Sequence, residues 1–189
     1  MNETPLFIPV ILGTARQGRQ SEHVAKFVQA ELSKHAGVET ELVDVRDLHL
    51  PLTDAGEAIK DPQFSALCER ADGFVIVTPE YNHGFPGLLK HALDSNLKEY
   101  IHKAAGIVGV SAGPFGGTRA IQSLLPVVRE LGLVNIFWDG NFSHVQDLFD
   151  AEGQIKDAAT YSRRLDKFFK ELIWMSRVLR YGRENVAAS

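Results

Sequence analysis

Hydrophobic positions along the chain fall into two alternating patterns. Short runs rich in β-branched and apolar residues, Val10 to Gly13, Glu39 to Val45, Gly73 to Thr78, Gly106 to Ser111 and Val134 to Trp138, read as five strands. Several of them are continuously apolar, as strands buried on both faces of a parallel sheet must be. Between them, apolar residues recur at a 3.6-residue period. Val24, Ala25, Val28 and Leu32 make one stripe, and Ile121, Leu124, Leu125 and Val128 make another. A final stretch places Leu165, Phe168, Phe169, Leu172 and Leu179 on one face, with Lys167, Lys170, Glu171 and Arg177 elsewhere, and is expected to fray after Arg183. This alternation predicts an α/β fold: a doubly wound, five-stranded parallel sheet with helices on both faces. Two connections, Arg46 to Asp61 and Gly140 to Lys156, are longer than a compact fold requires and are candidate covers for a site or a subunit interface.

With 189 residues, 44% of them hydrophobic, the chain is expected to form one domain over residues 1–189. Its 20 basic and 24 acidic side chains leave a net charge of -4, which supplies no broad positive field for a polyanion and argues against nucleic acid as the main partner. Cys68 is the single cysteine, so a disulfide within the chain and a cysteine-built metal site are both excluded. The seven histidines show no paired metal-ligand spacing. The N-terminal segment lacks a secretory pattern, and the longest uncharged run, Ala104 to Thr118, is too short and glycine-rich for a spanning helix, which needs about 20 apolar residues. The expectation is a soluble cytoplasmic protein.

In open α/β sheets, ligands bind beyond the carboxyl ends of the strands, where the strand order reverses. Three segments predicted to follow strands there carry candidate chemistry. The first, Gly13 to Ser21, holds hydroxyls, glycines, Arg16 and Arg19 directly before a helix. It reads either as an anion site at a helix N-terminus or as a helix cap at Ser21 with solvated arginines. It matches neither the dinucleotide fingerprint nor the P-loop. The second, Thr78 to Gly87, is a proline-bracketed turn, suited to presenting backbone groups to a planar heterocycle or serving as a plain stiff connection. The third, Ser111 to Thr118, is dense in glycine, which signals unusual backbone angles, close approach of a ligand, or a floppy loop. Convergence of the three at one sheet edge favours a shared site.

The run Pro79-Glu80-Tyr81-Asn82, followed by Pro86-Gly87-Leu88-Leu89-Lys90 and Ala92-Leu93-Asp94, resembles the NADPH-dependent FMN reductase family, with Gly13-Thr14-x-Arg16 and Ser111 through Gly117 in support. The resemblance implies a flavodoxin-like fold and an FMN-dependent NAD(P)H oxidoreductase. In the implied ping-pong cycle, NADPH or NADH gives hydride by way of FMN to a quinone-like or other small acceptor, or to free flavin. It further implies that Thr14, Arg16 and Ser21 hold the FMN phosphate with Arg19 as an extra cationic partner. Pro79, Glu80, Tyr81 and Asn82 would line the isoalloxazine, and Ser111, Gly113 and Gly117 would approach the ring and ribityl chain. A homodimer or homotetramer is implied, with the flavin near a subunit interface. Many family members have serine where Arg19 and Gly84 stand and tryptophan where Ser95 stands, so the pocket details are expected to differ. No dedicated catalytic acid is required, because flavin carries the chemistry; His83 is a candidate proton donor or a bystander. Two other readings remain. One is an FMN-binding electron carrier or sensor without nicotinamide turnover. The other is a serine hydrolase, since Gly109-Val110-Ser111-Ala112-Gly113 matches the bare nucleophile-elbow pattern.

Overall fold

A computed structural model describes residues 4–53 and 56–186. The strands are β1 (Leu6–Phe7), β2 (Val10–Leu12), β3 (Val38–Glu39), β4 (Leu42–Asp44), β5 (Gly73–Pro79), β6 (Ala104–Val110), β7 (Val134–Asn135) and β8 (Gly140–Phe142). The helices are α1 (Ser21–Leu32), α2 (Pro62–Arg70), α3 (Gly87–Asp94), α4 (Thr118–Glu130), α5 (Val145–Leu148) and α6 (Ala158–Asn185). The main sheet runs β4-β2-β5-β6-β7, with β8 also on β6, and all of its pairings are parallel. The chain steps outward from β2 to β4, then returns across β2 to β5. The order therefore reverses between β2 and β5, as the doubly wound prediction requires.

Two predicted strands are divided, for different reasons. Leu6 lies opposite Val38 and Val10 opposite Leu42, the same offset, so β1-β3 and β2-β4 are one ladder interrupted beside Pro9. Proline has no N–H to donate there. The fifth predicted strand, Val134 to Trp138, needs correction. Only Val134–Asn135 pair beside Ala104–Ala105, with the buried Ile136 still donating its N–H to the Ala105 carbonyl at 2.9 Å; residues 137–139 are exposed, and the chain rejoins β6 as β8 opposite Val108–Val110. Phe137 and Trp138 are left 73% and 42% exposed, ring against ring at 5.1 Å. The Gly140 to Lys156 connection is accordingly part of the sheet at its start, and beyond β8 it lies against the Ser111 to Gly113 segment, to which His144 and Val145 donate their N–H groups at 3.2 Å each.

The pleat divides two cores. Val75 and Val77 of β5 and Val108 and Val110 of β6 face α1 and α6, while Phe74, Ile76, Ala105 and Ile107 face α2, α3 and α4. The predicted stripes do this packing: Val24, Ala25, Val28 and Leu32 are buried, as are Ile121, Leu124 and Val128, with Leu125 partly covered. On α6, Phe168 rests on Gly106, where any Cβ would stand 2.4 Å from its ring. Burying a side chain of this size contributes about 1.5–3 kcal/mol. Asp61 caps α2 by accepting from the Phe64 N–H at 2.9 Å, with Pro62 starting the helix. Helix α6 continues two residues past Arg183, to Asn185.

Candidate functional site

The three segments meet where the strand order reverses. Gly13 donates its N–H to the Val77 carbonyl at 2.8 Å, which carries β2 straight into the first loop. A Cβ there would come 2.8 Å from Leu89 and 3.0 Å from the Val77 oxygen, so glycine is the residue that fits. Thr14 follows, 2% exposed, its hydroxyl 3.1 Å from the Tyr81 hydroxyl of the second loop and 3.4 Å from the Arg16 N–H that donates to it. Arg16 itself is exposed, its guanidinium 5.8 Å from the centre of the Tyr81 ring.

Ser21 opens α1, 2% exposed, and its Oγ is buried with no hydrogen-bond partner. It is not the cap: Gln20 holds that position and makes no side-chain capping bond. An orphaned buried hydroxyl is costly unless something supplies its partner. A loop that carries Thr14 and Arg16 and runs into a helix start at Ser21 is suited to an anion.

Arg19 has a different role from the one the resemblance implies. Its side chain is 2% exposed, and its five N–H donors are all engaged. Nε and one Nη2 hydrogen go to Glu22, at 3.4 Å each; Nη1 serves the Thr14 carbonyl and, at 2.9 Å, Asp44 Oδ1; Nη2 also reaches Asp44 Oδ2. Arg19 therefore ties the first loop to the end of β4 and has no donor left for a phosphate.

In the second loop, Tyr81 and Gly84 exchange backbone bonds at 2.8 and 2.9 Å around Asn82 (φ 49°) and His83 (φ 64°). Two left-handed central residues make this a two-residue hairpin of the primed type. The Glu80 N–H donates to the Val110 carbonyl at 2.9 Å, fixing Pro79 and Glu80 beside the end of β6. The Glu80 side chain is 7% exposed; Oε1 pairs with Arg119 Nε at 2.8 Å, and Oε2 is buried without a partner. At Gly84 a Cβ would make only ordinary contacts, 3.7 Å at the nearest, so space does not demand glycine there.

In the third loop, the Ser111 hydroxyl donates to the Gly113 carbonyl at 2.9 Å rather than to an imidazole, and α4 does not begin until Thr118. The strand-serine-helix elbow of a hydrolase is not formed. A Cβ on Gly113 would meet open space. Gly117 is required for packing within the protein: at φ 78°, a Cβ would stand 2.4 Å from the Val110 nitrogen, so glycine lets the loop lie on β6. Ser95, one of the departures from the resemblance, is buried at the end of α3 with its hydroxyl on the Ala92 carbonyl at 2.8 Å.

Two residues of this edge went unnoticed in the sequence, Asp44 and Arg119. The signals were a carboxylate ending the second strand and an arginine directly after Gly116-Gly117-Thr118. A cavity of about 450 Å³ lies elsewhere, between β8 and the first turns of α6. Its ring faces are already taken, Trp138 by Lys167 at 5.7 Å and Tyr161 by Arg164 at 5.4 Å, and none of the three segments lines it.

The family model described as NADPH-dependent FMN reductase matches residues 7–143, which include all three loops. The chain belongs to this family. Within it, the chain is 34% identical over 120 residues to an NADPH azoreductase of Bacillus sp. (strain OY1-2), a match covering 61% of this chain and 64% of that protein. It is 32% identical over 122 residues to a quinone reductase of Pseudomonas putida, covering 60% and 64%. A longer match, 27% over 179 residues, is to the NADH:(hydroxy)cinnamate reductase subunit CrdA of Vibrio ruber, covering 89% and 86%. Among solved structures, the NAD(P)H:(acceptor) oxidoreductase FerB from Paracoccus denitrificans superposes with a TM-score of 0.73 at 22% identity, covering 90% of this chain and 98% of that one. The flavodoxin-like fold of the NADPH-dependent FMN reductases is thus the fold of this chain.

Proposed function

We propose that this FMN reductase family member is an FMN-dependent NAD(P)H oxidoreductase acting on a quinone-like or other small acceptor, with the cofactor seated across the three loops. The observation that carries the reading is the buried, unpartnered Ser21 hydroxyl at the start of α1, at the end of the loop that also carries the Thr14 hydroxyl and the Arg16 guanidinium. These groups fit a phosphate: the helix N-terminus favours the negative charge, hydroxyls donate to its oxygens, and a guanidinium adds charge-assisted bonds. The segment Pro79 to Asn82 and the open face at Gly113 fit a planar ring, held largely by backbone groups. When bound, FMN supplies the redox chemistry between the nicotinamide donor and the acceptor. The protein's part is to seat it, orient one face outward and keep the Tyr81 ring at the crevice mouth. The Tyr81–Thr14 hydroxyl bond spans the first two loops; with Tyr81 as its donor, the Thr14 hydroxyl hydrogen is left for a phosphate oxygen.

The reading places the protein in the cytoplasm, where nicotinamide donors are available, as a homodimer or homotetramer. In support of association, Trp174, Val178 and Tyr181 recur along one face of α6 and are 56%, 44% and 66% exposed. Among the described residues, no helix is long and apolar enough to cross a membrane.

Fluorescence titration with FMN and with riboflavin, which lacks the phosphate, tests the seat. Ser21→Ala and Thr14→Val are each expected to weaken FMN about tenfold, as loss of a hydrogen bond to a charged group does, and to leave riboflavin affinity unchanged. Equal losses for both ligands would contradict the phosphate assignment.

A further inference from the structure

Helix α4 begins at Thr118, and Arg119 sits in its first turn. The helix dipole disfavours a cation there, so the position needs a compensating partner. Arg119 has two on one neighbouring segment. Its Nε lies 2.8 Å from Glu80 Oε1, and its Nη1 donates to His83 Nε2 at 2.7 Å. Glu80 directly precedes the hairpin and His83 is the second residue of its turn, so one guanidinium grips the hairpin at its entry and at its tip. The same guanidinium lies 5.1 Å from the centre of the Phe115 ring in the third loop. Arg119 thus touches two of the three segments that form the candidate cofactor edge.

The hairpin needs such a grip. Asn82 and His83 both hold left-handed backbone conformations, which non-glycine residues keep only where their surroundings overdetermine them. Its own contribution is the pair of Tyr81–Gly84 bonds, and the Glu80 N–H adds a tether to Val110. The Glu80 carboxylate is almost fully buried and would be strongly disfavoured there without its cation. Because a guanidinium can only donate, His83 Nε2 accepts from it, and the neutral ring carries its proton on Nδ1.

We propose that Arg119 is the positioning residue of the FMN site: through Glu80 and His83 it fixes the 79–84 segment against the third loop before cofactor arrives. The inference rests on the FMN reading. Arg119 acts through the backbone it holds and needs no contact with the cofactor itself.

The test is FMN affinity by fluorescence quenching on the full chain, alongside thermal melting of the cofactor-free protein, for wild type, Arg119→Gln, Arg119→Lys and the Glu80→Gln/Arg119→Gln double variant. Arg119→Gln is expected to weaken FMN binding at least tenfold and, by stranding the buried Glu80 carboxylate, to lower the melting temperature of the cofactor-free protein. The Glu80→Gln/Arg119→Gln double variant, which strands no charge, should melt within a few degrees of wild type and still bind FMN at least tenfold more weakly. Arg119→Lys, able to pair with Glu80 but not to reach both partners, should recover part of that loss. The double variant should bind no more weakly than Arg119→Gln alone, because both changes remove one contact. A lowered melting temperature with unchanged FMN affinity would reduce Arg119 to an anchor of α4 and overturn the inference, as would unchanged values throughout. Failure of the wild-type chain to bind FMN would instead overturn the functional reading, and the inference with it.

Discussion

Replacing Asp72 with alanine is expected to destabilise the protein by about 3–5 kcal/mol, the usual cost of breaking a buried ion pair by removing one partner. Asp72 is 4% exposed and lies just before β5, at the end of the sheet opposite the candidate cofactor edge. Its carboxylate accepts from the Phe7 N–H at 2.9 Å, Arg180 Nε at 2.7 Å, Arg180 Nη2, and Arg183 Nη2 at 2.8 Å. One side chain thus joins β1, the start of β5 and the last turns of α6. Alanine would remove the carboxylate on which two largely covered guanidinium groups converge and leave the Phe7 amide without its acceptor. Chemical denaturation should register the loss, and thermal melting should fall by roughly 10 °C for a chain of this size. FMN affinity of the folded fraction should not change, because none of these contacts reaches the three loops.

Arg19→Met should cost about 3 kcal/mol, because it leaves the Asp44 carboxylate, 13% exposed, without its main counter-charge. A pH signature accompanies it. Burial pushes the Asp44 carboxyl up, but hydrogen bonds from Arg19 and the Arg46 N–H, with the charges of both arginines, outweigh burial and hold it below the usual carboxylate range. Glu22 is lowered as well, chiefly by its hydrogen bond from Lys26 and the neighbouring charges. Carboxylates whose folded values lie below their unfolded ones contribute stability that is present above about pH 4 and lost as pH falls through the folded values. Wild type should therefore lose stability on acidification through that range, and Arg19→Met should lose less over the same interval. An unchanged acid slope in the variant would show that the pair with Asp44 is not what lowers that carboxyl. In contrast to Asp72→Ala, this substitution loosens the first loop itself, so FMN affinity should fall with stability.

The parts of this architecture that were legible in the sequence are those set by continuous burial. Val10 to Leu12, Gly73 to Val77 and Gly106 to Val110 are apolar throughout because helices cover both sides of the sheet, and the three central strands lie where the pattern puts them. The fifth strand was not legible because hydrophobicity reports what a side chain prefers, not whether a neighbour covers it. Phe137 and Trp138 look like strand interior yet stand at the exposed sheet edge, while Gly140-Asn141-Phe142 looks like loop and is strand. Gly140 suits that place because a Cβ would come 2.9 Å from Val108.

The site shows the same division. Local motif chemistry located the three loops, since each is a contiguous segment following one strand. It could not assign individual arginines, because an arginine's role depends on which distant carboxylate it meets. Arg19 finds Asp44 on the neighbouring strand and becomes structural, whereas Arg119 finds Glu80 across the crevice and holds the hairpin. Those partners are set by strand order, and spacing along the chain does not reveal them.

The central claim is tested most directly by adding FMN to the purified protein, removing oxygen, and recording the absorption spectrum as NADPH, then NADH in a separate sample, is added. The account predicts bound flavin whose band near about 450 nm, a property of the cofactor, is lost within the mixing time with at least one donor and returns when a quinone is supplied. Bound flavin that stays oxidised with both donors would point to a carrier or sensor, and absence of bound flavin at micromolar protein, about the range of an ordinary cofactor site, would contradict the account outright.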